Sequence, residues 1–239
     1  MAGVAFISDI HGNLEALEAT LRFLKNQGIE AIHCLGDLVG YGPDPGPCTA
    51  LIRKHCHGVV AGNHDWAVVE KTPLDPFNTL AKDAILWTRK MLSSDESIYL
   101  EGLPLTLETK EGLLAHASPI HPEEWFYITD LLSAEVILDA CSTKRIFIGH
   151  THIPQAFSSG PKGIKELVFP FPLKRGIQYL INVGSVGQPR DRDPRTCALT
   201  IEGGKATLWR IPYDPEATAQ KIEERGLPKP LGQRLLLGI

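Results

Sequence analysis

Val4-Ala5-Phe6-Ile7-Ser8-Asp9-Ile10-His11-Gly12-Asn13 is the stretch on which the fold turns. Its apolar start reads as a strand buried on both faces, and it breaks at Ser8 into a polar loop. Leu14, Leu17, Leu21 and Leu24 then recur every three or four residues as the apolar stripe of a helix, with Gly28 placed to stop it. A second strand is expected at Ala31–Leu35, before a loop dense in Gly, Pro and Asp (Gly36–Pro47). A helix through Leu51 and Ile52 leads to a third strand at Val59–Ala61. This strand–helix alternation predicts an α/β fold with a mainly parallel sheet.

Outward from that core, Leu80, Ala84, Trp87 and Met91 mark a helix face with Asn78 as its N-cap. Leu103–Thr109 and Leu113–His116 read as a hairpin turning at Lys110–Gly112. Ser133 is the expected cap of a helix through Val136, Ile137 and Ala140, and Arg145–Ile148 is the next strand. The C-terminal third reads as α+β: strands Gln155–Ser158, Glu166–Phe169, Gln178–Val183, Thr196–Ile201 and Ala206–Ile211, then a helix Pro215–Arg225 ending at Gly226. Repeats and linkers are absent from the sequence, so residues 1–239 are expected to form a single domain with two sheets.

Composition narrows the function. Hydrophobic residues make up 43% of the 239 and charged residues 22%, enough for a substantial core. The net charge of −4 weighs against long nucleic acid as a partner, while a small nucleotide is compatible with it. No apolar run approaches the roughly 18 residues of a membrane span. The short N-terminal run lacks a basic flank, so a soluble, cytoplasmic protein is expected. Five cysteines without a Cys-x-x-Cys pair argue against a disulfide framework or a thiolate zinc site.

The polar residues that carry chemistry recur where strands stop. Asp9-Ile10-His11 follows the first, Gly36-Asp37 the second and Gly62-Asn63-His64-Asp65 the third; His116 and Gly149-His150-Thr151-His152 end two more. In an open α/β sheet the carboxyl ends of the strands share one rim, where ligands bind. Two carboxylates, one amide oxygen and several imidazoles suit manganese, iron, zinc or nickel as divalent ions. A pair of such ions about 3.5–4 Å apart clamps a phosphate and acidifies water, and an imidazole not used as a ligand can protonate a departing oxygen.

In these five ordered blocks the sequence closely resembles the calcineurin-like metallophosphoesterase family, from Val4 to about Arg190. The resemblance implies a four-layer αββα sandwich of two mixed sheets flanked by helices, with a dinuclear centre at the sheet rims. It implies that Asp9, His11 and His152 hold the first metal, that Asp37 bridges, and that Asn63, His116 and His150 hold the second. His64 would be the general acid. Direct attack of a metal-bound hydroxide on a phosphodiester or nucleotide phosphoanhydride would leave no phosphoenzyme. A phosphomonoesterase, including one for phosphoserine or phosphothreonine, is the alternative within enzymes. A catalytically weak scaffold with the same fold is the alternative outside them.

The second block departs from the protein-phosphatase pattern Gly-Asp-x-x-Asp-Arg-Gly. Gly40 and Tyr41 stand where the carboxylate that orients the catalytic His and the phosphate-gripping Arg would be. The continuation Val-Gly-Tyr-Gly-Pro-Asp-Pro, with Gly184-Ser185-Val186-Gly187-Gln188-Pro189-Arg190, is similar to the bacterial and archaeal branch of phosphodiesterases and diadenosine-tetraphosphatase-like proteins. Arg190 is a candidate phosphate contact, set against a pairing with Asp191 or Asp193. Tyr41 is a candidate substrate contact, and one of Trp125, Phe126 and Tyr127 could stack on a base or aryl group.

Overall fold

The computed structural model describes residues 3–239. In chain order the elements are β1 (Val4–Ile7), α1 (Leu14–Asn26), β2 (Ala31–Cys34), α2 (Pro45–His55), β3 (Gly58–Val59), α3 (Asn63–Val68), α4 (Thr79–Met91) and α5 (Ser94–Glu101). There follow β4 (Thr106–Glu108), β5 (Leu113–Ala115), a 3₁₀ turn (Pro122–Glu124), α6 (Leu131–Ala140), β6 (Arg145–Ile148), β7 (Gln155–Gly160), β8 (Gly163–Leu167) and β9 (Phe171–Pro172). The chain closes with β10 (Gln178–Asn182), β11 (Thr196–Glu202), β12 (Lys205–Ile211), α7 (Pro215–Glu224) and α8 (Lys229–Leu237).

Two six-stranded mixed sheets result. One runs β3-β2-β1-β11-β12-β9, the other β4-β5-β6-β10-β7-β8. β1, β2 and β3 are parallel, as are β5, β6 and β10. Six strand ends therefore point the same way within their sheets, and every candidate ligand lies just beyond one of them.

Alternation along each strand builds the layers. In β1, Val4 and Phe6 face the opposite sheet while Ala5 and Ile7 face the helices, so both faces of the run are apolar. In β6, Phe147 points inward and Ile146 and Ile148 pack under α6. Phe6 stacks on Phe147 with ring centroids 3.8 Å apart, joining the sheets at the middle of the sandwich. Helices α1, α2, α3 and α5 cover the first sheet, and α6 covers the second. A fourth apolar cluster joins α4 to α7 and α8 through Ala81, Ala84, Ile222, Leu231 and Leu235. This is the αββα sandwich.

Some local expectations need correction. Asp130, not Ser133, caps α6: its carboxylate accepts the Ser133 N–H at 2.8 Å, and the helix starts at Leu131. Helices α3, α5 and α8 and the two-residue strand β9 were not expected. The predicted α4 cap stands, with Asn78 accepting from the Ala81 N–H at 3.0 Å. All five cysteines are free.

Candidate metal centre

Asp9 and His11 sit in the turn after β1, Asp37 after β2, Asn63 at the start of α3, His116 after β5, and His150 and His152 after β6. The backbone there is unusual. Asp9, His11, Asp37, His150 and His152 all have positive φ, between 49° and 69°. L-residues avoid this left-handed region at a cost of about 1 kcal/mol or more each, and such strain persists where the surroundings fix it. Hydrogen bonds between loops do the fixing: Asp9 N–H to Gly36 C=O at 3.0 Å and His11 N–H to Asp37 C=O at 2.9 Å.

Among the described residues two donor clusters form, one of Asp9, His11, Asp37 and His152, the other of Asp37, His116 and His150, each with ligand atoms within 4.8 Å of one another. Asp37 belongs to both. Its Oδ2 lies 3.5 Å from His11 Nε2 and 3.3 Å from His116 Nε2, between the two halves. Its Oδ1 accepts the His64 N–H at 2.9 Å, which fixes the carboxylate plane.

The imidazole tautomers follow from their partners. Nδ1 of His11 donates to Val39 C=O (3.1 Å), that of His116 to Leu35 C=O (2.7 Å) and that of His152 to Gln188 C=O (2.6 Å). A carbonyl only accepts, so each Nδ1 carries the proton and each Nε2 presents a lone pair to the centre when neutral. The Nε2 atoms of His11 and His152 face each other at 3.1 Å, as do His116 Nε2 and His150 Nδ1. Asp9 Oδ1, Asn63 Oδ1 and His150 Nε2 are buried without any hydrogen-bond partner. Converging lone pairs and orphaned acceptors in a buried site are what cations satisfy. The residues fit a dinuclear metal group.

The charges show the same tension. Burial alone would raise the carboxyls of Asp9 and Asp37, but the surrounding imidazoles win and hold both below the ordinary carboxylate range. Burial lowers His150 to about 3, with His116 adding to the effect. His116, despite burial, is raised to about 9 by Asp37.

His64 lies on α3 beside the centre and is 4% exposed. Burial lowers its imidazole to about 4, opposed by Asp37. Its Nδ1 has no hydrogen-bond partner. Next to it, Asp65 closes the Gly-Asn-His-Asp block, which carries no assigned role for it in the sequence. Its Oδ1 accepts from the N–H groups of Leu38 (2.8 Å) and Val39 (3.2 Å), and its Oδ2 from Gly62 (3.0 Å). Asp65 thereby ties the loop carrying Asp37 to the loop carrying Asn63 and His64. Burial and the nearby Asp37 carboxylate raise its own carboxyl to about 7.

A cleft of about 340 Å³ opens over the centre, with Asp37, Asn63, His64, His150 and His152 on its floor. Phe77, Trp125, Phe126 and Tyr127 form an aromatic wall. Tyr127 stacks on His150 at 4.1 Å and Trp125 meets His116 edge-on at 5.9 Å, so these two rings touch the ligands, and Phe126 and Tyr127 are both more than half exposed at the cleft. Tyr41 and Arg190 also line the cleft. Arg190 pairs with neither neighbouring acid: Asp191 is taken by Arg210 and Asp193 by Arg195. Its Nη2 instead donates to Gln188 Oε1 at 2.9 Å, and its Nε is buried without a partner.

The fold and this buried Asp/His centre define a metallophosphoesterase. The calcineurin-like phosphoesterase superfamily domain matches residues 3–203, and the chain belongs to that family. It is 43% identical, over 98% of both chains, to an uncharacterised protein of Methanocaldococcus jannaschii. Among solved structures, a metallophosphoesterase from Sphaerobacter thermophilus is 36% identical over 100% of this chain and 99% of its own, with a TM-score of 0.85. A hypothetical protein from Pyrococcus horikoshii shares the fold at 21% identity, with a TM-score of 0.82 over 100% and 99% of the two chains.

Proposed function

We propose that the protein hydrolyses phosphodiesters bearing a flat apolar group, with the phosphate seated over Asp37 and the apolar group against the aromatic wall. The observation carrying this reading is the lining of the cleft. It offers one cationic side chain, Arg190, four aromatic side chains from Phe77 to Tyr127, and a carboxylate at Glu124. One guanidinium matches one phosphate. A dinucleoside polyphosphate would bring several more negative charges than the two ions and Arg190 would meet in a diester, and among the described residues the lining adds no second Lys or Arg while Glu124 repels them. The nucleotide phosphoanhydride is therefore the less favoured of the two substrates expected from the sequence.

Asp9, His11, Asp37 and His152 would hold one divalent ion, and Asp37, Asn63, His116 and His150 the other. When bound, the pair supplies Lewis acidity, neutralising phosphate charge and yielding nucleophilic hydroxide near neutral pH. Arg190, at the edge of the same cleft, would orient the non-bridging oxygens. As an oxygen from water bonds to phosphorus, the bond to the leaving oxygen breaks and that oxygen takes a proton from His64. The proton lost by the water restores the balance. A bound phosphate anion beside His64 favours its charged form, opposing the burial that keeps the imidazole neutral. Direct attack leaves no phosphoenzyme.

The test is a rate comparison in manganese on bis-p-nitrophenyl phosphate, p-nitrophenyl phosphate, a phosphoserine peptide and a dinucleoside polyphosphate. The diester is expected to lead in kcat/KM by at least about tenfold, the worth of one well-placed contact. A lead for either monoester supports the monoesterase alternative. Full occupancy by two ions without turnover of any of the four supports the scaffold.

A further inference from the structure

We infer that Tyr41, backed by the C-terminal helical hairpin of α7 and α8, is the positioning residue for the His64 ring. The inference rests on the reading of His64 as proton donor. With Nδ1 unpartnered, no hydrogen bond sets the imidazole plane, and a histidine ring turns through a broad torsional well unless something blocks it. Here packing blocks it. Tyr41 lies 4.6 Å from the His64 ring centroid at 54°, His11 at 4.9 Å edge-on and Phe77 at 5.1 Å edge-on. Gly40 closes the remaining side: a Cβ there would stand 2.5 Å from His64 Nδ1, on a backbone with φ of 105°.

Of these walls, Tyr41 is a buried member of the apolar cluster that includes the C-terminal hairpin, and Phe77 packs against that cluster from its partly exposed edge. Tyr41 is 6% exposed and shares its apolar cluster with Ile222 of α7 and Leu231 and Leu235 of α8. The hairpin lies beyond residue 203, where the family match ends. It is fastened to the loops that carry the centre. Lys221 and Arg225 pair with Asp44 at 2.9 and 3.4 Å, and the Thr218 hydroxyl donates to Asn13 Oδ1 at 3.0 Å. At its far end, the Arg192 N–H donates to Gly238 C=O at 2.8 Å, holding the loop that bears Arg190. The Arg190 guanidinium in turn lies 5.8 Å from the centre of the Tyr41 ring.

The readout is dependence on the leaving group. A proton donor matters most when the departing oxygen is basic, so a misaligned His64 penalises methyl phenyl phosphate more than methyl 4-nitrophenyl phosphate. Tyr41→Ala, and Leu235→Ala from behind it, are each expected to lower kcat on the phenyl ester at least about tenfold more than on the nitrophenyl ester, with both metals retained by elemental analysis. Tyr41→Phe keeps the ring and should keep the wild-type ratio. His64→Ala is the control and should show the largest selective loss. Equal losses on both esters for Tyr41→Ala and Leu235→Ala, with a selective His64→Ala, would overturn the positioning role and leave the donor reading intact. An unselective His64→Ala would remove both. Leu235→Ala carries the test if Tyr41→Ala does not fold.

Discussion

The two halves of the centre share Asp37 and differ in nearly everything else. The half built on Asp9, His11 and His152 has two carboxylates, both buried, and is held from behind by the C-terminal hairpin through Asn13 and Asp44. The half built on His116 and His150 has no carboxylate of its own, and aromatic rings back it at the open cleft. A divalent ion in the first half meets two negative charges, and in the second only the shared one. This charge asymmetry predicts that an ion in the first half is retained more firmly than one in the second, which lies at the open cleft.

Asp37→Asn tests this comparison most severely. Substituting an amide for the carboxylate that reaches both halves should cost both ions together and take diester hydrolysis to background, read by elemental analysis and kcat. Loss of one ion alone would mean that the halves are independent and the shared residue does not bridge.

Next in size is the contrast between single-half variants. His116→Ala should leave about one ion per chain, bound by Asp9, His11 and His152, whereas His11→Ala should lower affinity where charge is greatest and lose ions more slowly against a chelator than Asp37→Asn does. Brief chelation of the unmodified protein should likewise stop at one ion. Simultaneous release of both ions would show that the charge asymmetry does not govern retention. Arg190→Ala belongs on the open side. Removing one charge-assisted contact should lower kcat/KM about 10–100-fold without changing metal content.

The sequence and the structure agree unevenly, for physical reasons. The strands and the five polar blocks were legible because apolar runs ending in Asp, Asn and His are local patterns. The αββα layering followed from the resemblance those blocks carry. Helix α5 had a readable start, since Ser93 and Glu96 form a capping box, with the Ser93 N–H bonded to Glu96 Oε2 at 2.8 Å. Helix α8 was obscured by Pro230 and Gly232 inside its nine residues, although the proline sits in the first turn, where it is tolerated. Asp65 stands in a legible block, but its role was hidden for a different reason. Its three partners are backbone N–H groups, two of them more than 25 positions away, and no side-chain pattern announces a bond to backbone. Tyr41 was legible only as a candidate substrate contact, because the positioning role inferred for it depends on a hairpin about 180 residues further along the chain.

The smallest effect concerns the support of the first half. Lys221 pairs with Glu15 and Asp44, fastening α7 to α1 and to the loop after Asp37. Burial by itself would raise the Glu15 carboxyl, but hydrogen bonds from Lys221 and Thr218 outweigh it and leave the group below its ordinary value. A carboxyl lowered by folding binds more protons when unfolded, so its stabilisation is complete above the unfolded value of about 4.3 and fades as pH falls through the folded one. Lys221→Met should therefore lower the melting temperature at pH 7 by about 1–3 °C, as suits a partly exposed pair in a chain of this size. The difference should shrink below about pH 4, where protonation removes the attraction in the unmodified protein too. If the gap instead stayed constant down to pH 3, the lysine would be contributing through the packing of its stem, and the first half would owe nothing to that ion pair.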